Sequence, residues 1–197
     1  MKKRNYNIVM VGVGGQGLIT LNKILGEAAL FEGFDVKTSE LHGLSQRGGS
    51  VETSIRLGPK VYSPLIKQGG ADLIISLEIQ ETLKACYYST KKSTTFLIND
   101  FLKSIPGAKS LSKEMILKEL KNFSKQIILV PANDICEKEI GKSVLAGVYL
   151  NSLATLKKLI PLKPNSLLKA IKKIIPEKYL ELNLKAFALS KNYNLSI

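Results

Sequence analysis

The sequence predicts a three-layer α/β/α fold on a mixed, mostly parallel sheet, with a Rossmann-like start, an inserted β-hairpin and a helical C-terminal region. Three observations predict it. The stretch "NIVMVGVGGQGLIT" from Asn7 reads as a buried strand, a glycine loop and the start of a helix; short apolar runs alternate with helical patterns from Ala71 to Ala132; no strand pattern follows Asn133. A chain of 197 residues, 45% hydrophobic, suits one domain over 1–197, with a βα sheet core over 1–132 and C-terminal helices over 133–197.

In the first unit Gly12, Gly14 and Gly17 keep the spacing G-x-G-x-x-G, which allows close backbone approach and tight packing of helix on strand. The N-terminal N–H groups of the helix then face outward and favour an anion. The pattern signifies a dinucleotide site only in a matching structural context. "LITLNKILGEAALFEG" places Leu18, Leu21, Leu25, Ala28 and Ala29 at helical spacing and stops at Gly33. "FDVKTSE" follows as a strand parallel to the first, with Glu40 about where an acid would meet a ribose.

The next stretch departs from a dinucleotide fold. In "LHGLSQRGGSVETSIRLGPKVYSPLI" a glycine pair precedes the alternation Val51, Thr53, Ile55, Leu57, then the turn "LGPK" and another short strand, which is a hairpin and not a crossover helix. "ADLIISLE", "IQETLKACYYS", "TTFLIND", "KEMILKELKNF" and "QIILVPA" read as further βα units, the fourth with Met115, Ile116, Leu117 and Leu120 on an apolar stripe. From Asn133, "NDICEKEIGKSVLAGVYLNSLATLKKL" is one long helical pattern capped by Asn133 or Asp134. Two amphipathic pieces separated by Pro176 follow, and the lysine-rich tail after Leu156 is available to pack on a partner instead of closing the core.

The formal charge of +13 raises nucleic acid as a partner, but it is almost all lysine: Arg4, Arg47 and Arg56 are the only arginines, tryptophan is absent, and no segment interleaves basic residues with stacking aromatics. The expectation is no nucleic acid and, with no apolar run near ~20 residues, no membrane. A cytoplasmic protein is expected, because the first apolar segment leads into the glycine loop and not into a cleavage site. Cys86 and Cys136 alone make neither a disulfide framework nor a zinc or iron-sulfur ligand set, so no metal is expected in this chain.

Candidate binding residues concentrate in "SELHGLSQRGGSV", at the expected carboxyl edge of the second strand, where open α/β sheets bind ligands. It holds the single histidine, His42, then Gln46, Arg47, Gly48, Gly49 and Ser50. Arg47 offers a planar fork suited to carboxylate or phosphate, and the glycine pair lets a ligand or another backbone approach. Equally, Arg47 pairs with Glu78 and the glycines shape the hairpin entry. Neither "GxSxG" nor a Lys-Ser/Thr loop ending is present, and Glu78 with Glu81 reads as a helix cap, so no catalytic residue is assigned.

"GVGGQG", "SELHGLSQRGGSV", "IRLG", "ADLIISLE" and "NLKAFALS", in that order over nearly the whole chain, resemble the gamma subunit or gamma domain of 2-oxoacid:ferredoxin oxidoreductases. Within that family the wording of the second motif is most similar to the beta subunit of indolepyruvate ferredoxin oxidoreductase. The resemblance implies a subunit with no cofactor of its own, packed on a larger partner that carries thiamine diphosphate and 4Fe-4S clusters. The assembly would decarboxylate an aryl 2-oxoacid oxidatively, passing the acyl group to coenzyme A and electrons to ferredoxin. Gly12, Gly14, Gly15, Gln16 and Gly17 would then form an amide nest against the coenzyme A phosphates or a partner loop, with Arg47 to Ser50 beside it. Two other readings stand next to it: a stand-alone NAD or FAD oxidoreductase and a basic nucleic-acid-binding module.

Overall fold

β1 (Tyr6–Val13) is buried on both faces, as its unbroken apolar run requires of a central strand. In the computed structural model, which describes residues 4–43, 48–103 and 111–194 with only the backbone of His42, it lies third in a six-stranded sheet of order β2-β3-β1-β4-β5-β6. The remaining strands are β2 (Asp35–His42), β3 (Ser50–Gly58), β4 (Leu73–Ser76), β5 (Thr95–Asn99) and β6 (Gln126–Val130). β4, β5 and β6 continue parallel to β1. β3 is antiparallel to both β1 and β2, with Val13 opposite Ser50 and His42 opposite Val51.

β2 therefore runs in the direction of β1, as expected, but β3 stands between them. The hairpin is β2–β3. The strand expected after "LGPK" does not form: residues 59–67 have no regular structure. Pro59 and Pro64 bring no N–H to a ladder. Side chains of β3 hold the segment, with Arg56 Nη1 donating to the carbonyls of Ser63 and Leu65 at 3.0 Å each and Ser54 Oγ to that of Pro64 at 3.2 Å.

Alternate residues of β1 serve two cores. Ile8 and Met10 face the helix α1 (Leu18–Phe31) and the C-terminal helices, while Val9 and Val11 face α2 (Thr82–Ala85) and α3 (Lys113–Leu120). Leu18, Leu21, Leu25, Ala28 and Ala29 are all buried in the first core. The helix expected over "IQETLKACYYS" shrinks to α2 and a 3-10 turn at Cys86–Tyr88.

The long helix expected from Asn133 is two. α4 (Ala132–Ile140), preceded by Pro131 and not by an Asn or Asp cap, ends at Gly141, whose φ of +75° lets its backbone N–H reach back to the carbonyls of Cys136 and Glu137. A 3-10 turn at Ser143–Leu145 then leads into α5 (Ala146–Leu156), buried almost throughout. α6 (Pro164–Ile174) and α7 (Glu177–Ser190) correct the expectation for the tail, since Leu167, Ala170, Ile171, Ala186 and Phe187 are buried in the same core as α1. Their lysines lie on the outer faces; Lys173 Nζ pairs with Glu27 of α1 at 2.5 Å. No helix is long and apolar enough among the described residues to cross a membrane.

Candidate functional site

The connection from β1 leads through α1 to one side of the sheet, and the later units build to the other, so the gap between β1 and β4 is a topological switch point. A concavity of about 330 Å³ opens there at the carboxyl ends of the strands. Val13 and Leu77 end β1 and follow β4, Asn99 ends β5, and Asn133 lies just past β6; Lys103 and Ser143 complete its polar rim.

The two glycine loops meet at this rim. Gly14 N donates to the Gly49 carbonyl at 2.7 Å, and Gly48 N to the Gly14 carbonyl at 3.3 Å. Gly15 and Gly17 take φ of +101° and +77°, and their amides have no acceptor among the described residues. Leu18 to Thr20 form the open first turn of α1. A second concavity, about 430 Å³, lies against Gly15, Gly17, Ile19 and Val51.

Gln16 distinguishes this loop from a dinucleotide loop. Its Oε1 accepts from Val13 N at 2.8 Å and its Nε2 donates to the Leu77 carbonyl at 3.1 Å. The side chain thus lies over Gly12, where a Cβ would be 2.5 Å from Gln16 Oε1 and 3.1 Å from Leu77 Cβ. Gly12 is needed for the close approach of Gln16, whose amide is thereby tied inward to β1 and to Leu77. Glu40 is misplaced for a ribose, because β3 sets β2 about 10 Å from β1 at ordinary strand spacing. That displacement removes the ribose contact on which the stand-alone NAD or FAD reading drew.

Along the floor, the Leu77 carbonyl also accepts from Asn99 Nδ2 at 3.1 Å, which reaches Asn133 Oδ1 at 2.8 Å; Asn133 N returns a bond to Asn99 Oδ1 at 3.2 Å. Gln16, Asn99 and Asn133 thereby form one fixed polar strip. Lys103 is exposed, with Nζ 3.2 Å from where a Cβ on Gly48 would sit, so a cation stands over the second glycine loop.

Beneath the loop, Ser50 Oγ donates to Glu81, which Lys84 Nζ also meets at 2.7 Å. Glu78 accepts from Glu81 N at 2.8 Å and from Lys103 N at 3.0 Å, whereas the Glu81 side chain, at the N-cap of α2, caps no N–H of that helix, so the cap expected of the pair holds for Glu78 alone. Burial pushes the Glu78 carboxyl above the usual glutamate range, against the pull of those two amides.

Of the residues singled out from sequence, Gly14, Gly15, Gln16 and Gly17 line the concavities, Gly48 and Gly49 bond to that loop, Gly12 lies buried under Gln16, and Ser50 bonds Glu81 beneath. The His42 side chain, Gln46 and Arg47 lie outside the described residues, as does the Arg47–Glu78 pairing. Lys103, Asn99 and Asn133 escaped the sequence reading. The two asparagines carried a usable signal, since each closes or follows an apolar strand at the edge where ligands bind. Cys86 and Cys136 sit in the cores on opposite faces of the sheet, too far apart in the fold to share a metal. Among the described residues no three His, Cys, Asp or Glu gather as a metal site.

The chain is 37% identical over 196 residues to the indolepyruvate oxidoreductase subunit IorB of Archaeoglobus fulgidus, covering 96% of each. The keto/oxoacid ferredoxin oxidoreductase gamma subunit from Geobacter sulfurreducens superposes with a TM-score of 0.70 at 21% identity, over 94% of this chain and 96% of that one. The 2-oxoglutarate:ferredoxin oxidoreductase of Magnetococcus marinus, solved with 2-oxoglutarate, coenzyme A and succinyl-CoA bound, superposes with a TM-score of 0.71 at 19% identity, over 96% of this chain and 31% of that longer one. A sequence profile of the pyruvate ferredoxin/flavodoxin oxidoreductase family matches residues 7–193, and the chain belongs to that family.

Proposed function

We propose that this chain is the small subunit of an indolepyruvate, or related aryl 2-oxoacid, ferredoxin oxidoreductase, a part of the enzyme that carries no cofactor of its own. The observation that carries the reading is the end-to-end likeness to the indolepyruvate oxidoreductase subunit, 37% over 96% of both chains. Its larger partner holds thiamine diphosphate and 4Fe-4S clusters, which supply the decarboxylation and electron-transfer chemistry. The acyl group leaves on coenzyme A and the electrons leave to ferredoxin.

This chain's residues bind and orient. Gly15 and Lys103 border the first concavity, and Gly15, Gly17 and the first turn of α1 border the second beside it; their open amides and the Lys103 ammonium are donors suited to the phosphates of coenzyme A. Arg47, next to Gly48 in sequence, offers a further bidentate donor. The polar strip of Gln16, Asn99 and Asn133 keeps the floor rigid, so the ligand is positioned by backbone that does not have to reorganise.

The test uses the complex assembled with its larger subunit and titrated with coenzyme A in a calorimeter. Lys103→Met and Arg47→Ala are each expected to weaken binding about tenfold, the loss of one partly screened charge-assisted contact of ~1.4 kcal/mol. Gly15→Val, strained at a φ of +101°, is expected to weaken it further. Unchanged affinity and unchanged assembly in all three would remove the proposal.

A further inference from the structure

We propose that Glu78 and Glu81 are positioning residues that tie the two glycine loops to the Lys103 segment and so set where the Lys103 cation stands. The inference rests on the reading that this rim receives coenzyme A. Glu78 is 2% exposed and Glu81 7%, so each carboxylate must find partners within the protein. Glu78 divides its oxygens: Oε2 accepts from Glu81 N at 2.8 Å and Oε1 from Lys103 N at 3.0 Å. Glu81 Oε2 accepts from Ser50 Oγ, and Lys84 Nζ meets both Glu81 oxygens, at 2.7 and 3.0 Å.

Followed from atom to atom, these contacts make one unbroken series. Gly48 and Gly49 bond Gly14 of the first loop; Ser50, the next residue, bonds the Glu81 carboxylate; Glu81 N bonds the Glu78 carboxylate; and Glu78 bonds the Lys103 backbone, whose side chain reaches the space beside Gly48. A second tie runs alongside, from Ile79 N to the Phe101 carbonyl at 2.9 Å. A helix cap alone does not account for this. α2 has four residues and is served by one Glu78 oxygen, yet the other Glu78 oxygen and the Ser50 contact of Glu81 reach outside the helix to the two segments that border the ligand rim.

The experiment takes the assembled complex with Glu81→Ala, Glu81→Gln, Ser50→Ala and the Ser50→Ala/Glu81→Ala pair, with Gly15→Val as a control for the site. Coenzyme A affinity is measured by calorimetry, and backbone hydrogen exchange is followed at residues 48–53 and 101–103. Glu81→Ala and Ser50→Ala are each expected to weaken coenzyme A about three- to tenfold, the range of one lost hydrogen bond. The pair should weaken it no more than the worse single variant, since both cut the same link. Glu81→Gln keeps an acceptor for Ser50 Oγ and should recover most of the affinity. Exchange should quicken at both segments in Glu81→Ala. Ser50→Ala guards against the case in which removal of Glu81 prevents folding.

If Gly15→Val weakens coenzyme A while neither Glu81→Ala nor Ser50→Ala does, or if the two effects multiply, the positioning role is wrong. If Gly15→Val has no effect, the reading of the rim fails instead, and exchange decides the linked series by itself: quickening at 48–53 and 101–103 together supports it, and no change overturns it.

Discussion

Replacing Gly12 with alanine places a Cβ 2.5 Å from Gln16 Oε1 and 3.1 Å from both Leu18 Cδ1 and Leu77 Cβ. The backbone and the buried leucines cannot yield, so Gln16 must leave. Its departure strips the acceptor from Val13 N and one of the two donors from the Leu77 carbonyl, which keeps Asn99. A stranded amide costs about 1–3 kcal/mol and a lost net hydrogen bond about 1 kcal/mol, so Gly12→Ala should destabilise the chain by roughly 2–3 kcal/mol. In a domain of this size that lowers the melting temperature by roughly 5–10 °C. Gln16→Ala alone loses the same bonds and should cost a similar amount, about 2–3 kcal/mol. The Gly12→Ala/Gln16→Ala pair should cost little more than Gln16→Ala, leaving a coupling of about 2 kcal/mol in a urea-denaturation cycle. Additive costs, or a Gly12→Ala variant as stable as the parent, would refute the argument that Gly12 is glycine for the sake of Gln16.

Three further outcomes are expected. Gly141→Ala, strained at a φ of +75° but facing open space, should cost about 1–2 kcal/mol by urea denaturation, and Gly141→Asn less. Burial pushes the Cys86 thiol up to about 11 and the Cys136 thiol up to about 12. Native alkylation at pH 8 should therefore run roughly two orders of magnitude slower than in urea at Cys86 and roughly three at Cys136, as read by mass spectrometry of the peptides. Because the Glu78 carboxyl is raised, its contribution to stability is full below the ordinary glutamate range and is lost as pH rises through its folded-state value. Glu78→Gln should flatten the pH dependence of the denaturation midpoint in that window, and a parallel profile would contradict the sign.

Amphipathic period and glycine spacing, read from the residues alone, determine most of what lies within one element. The β1–loop–α1 unit, the buried runs of β4 and β5, the apolar run of β6, and the apolar stripes of α6 and α7 each follow from neighbours fewer than about ten positions apart. So does the strand character of the alternation from Val51 to Leu57, though not the hairpin expected through "LGPK". Local pattern is silent on which strand a strand chooses. Val51, Thr53, Ile55 and Leu57 alternate in the same way whether β3 pairs with β2 or with the segment after Pro59, and insertion of β3 beside β1 is a choice made by the whole sheet. Gly141 was similarly masked by apolar residues continuing in phase across it, until a left-handed φ closed α4.

The site divides along the same line. The glycines and the hydroxyl at Ser50 are visible in the sequence because they are clustered there. That Gln16 turns inward, that Lys103 stands over Gly48, and that Asn99 meets Asn133 are tertiary facts, since the partners come from separate strand ends brought together at one edge of the sheet. Sequence specifies the chemistry each residue offers. Packing decides which of those offers meet, because burial makes every polar group find a partner, and only the folded chain determines who is within reach.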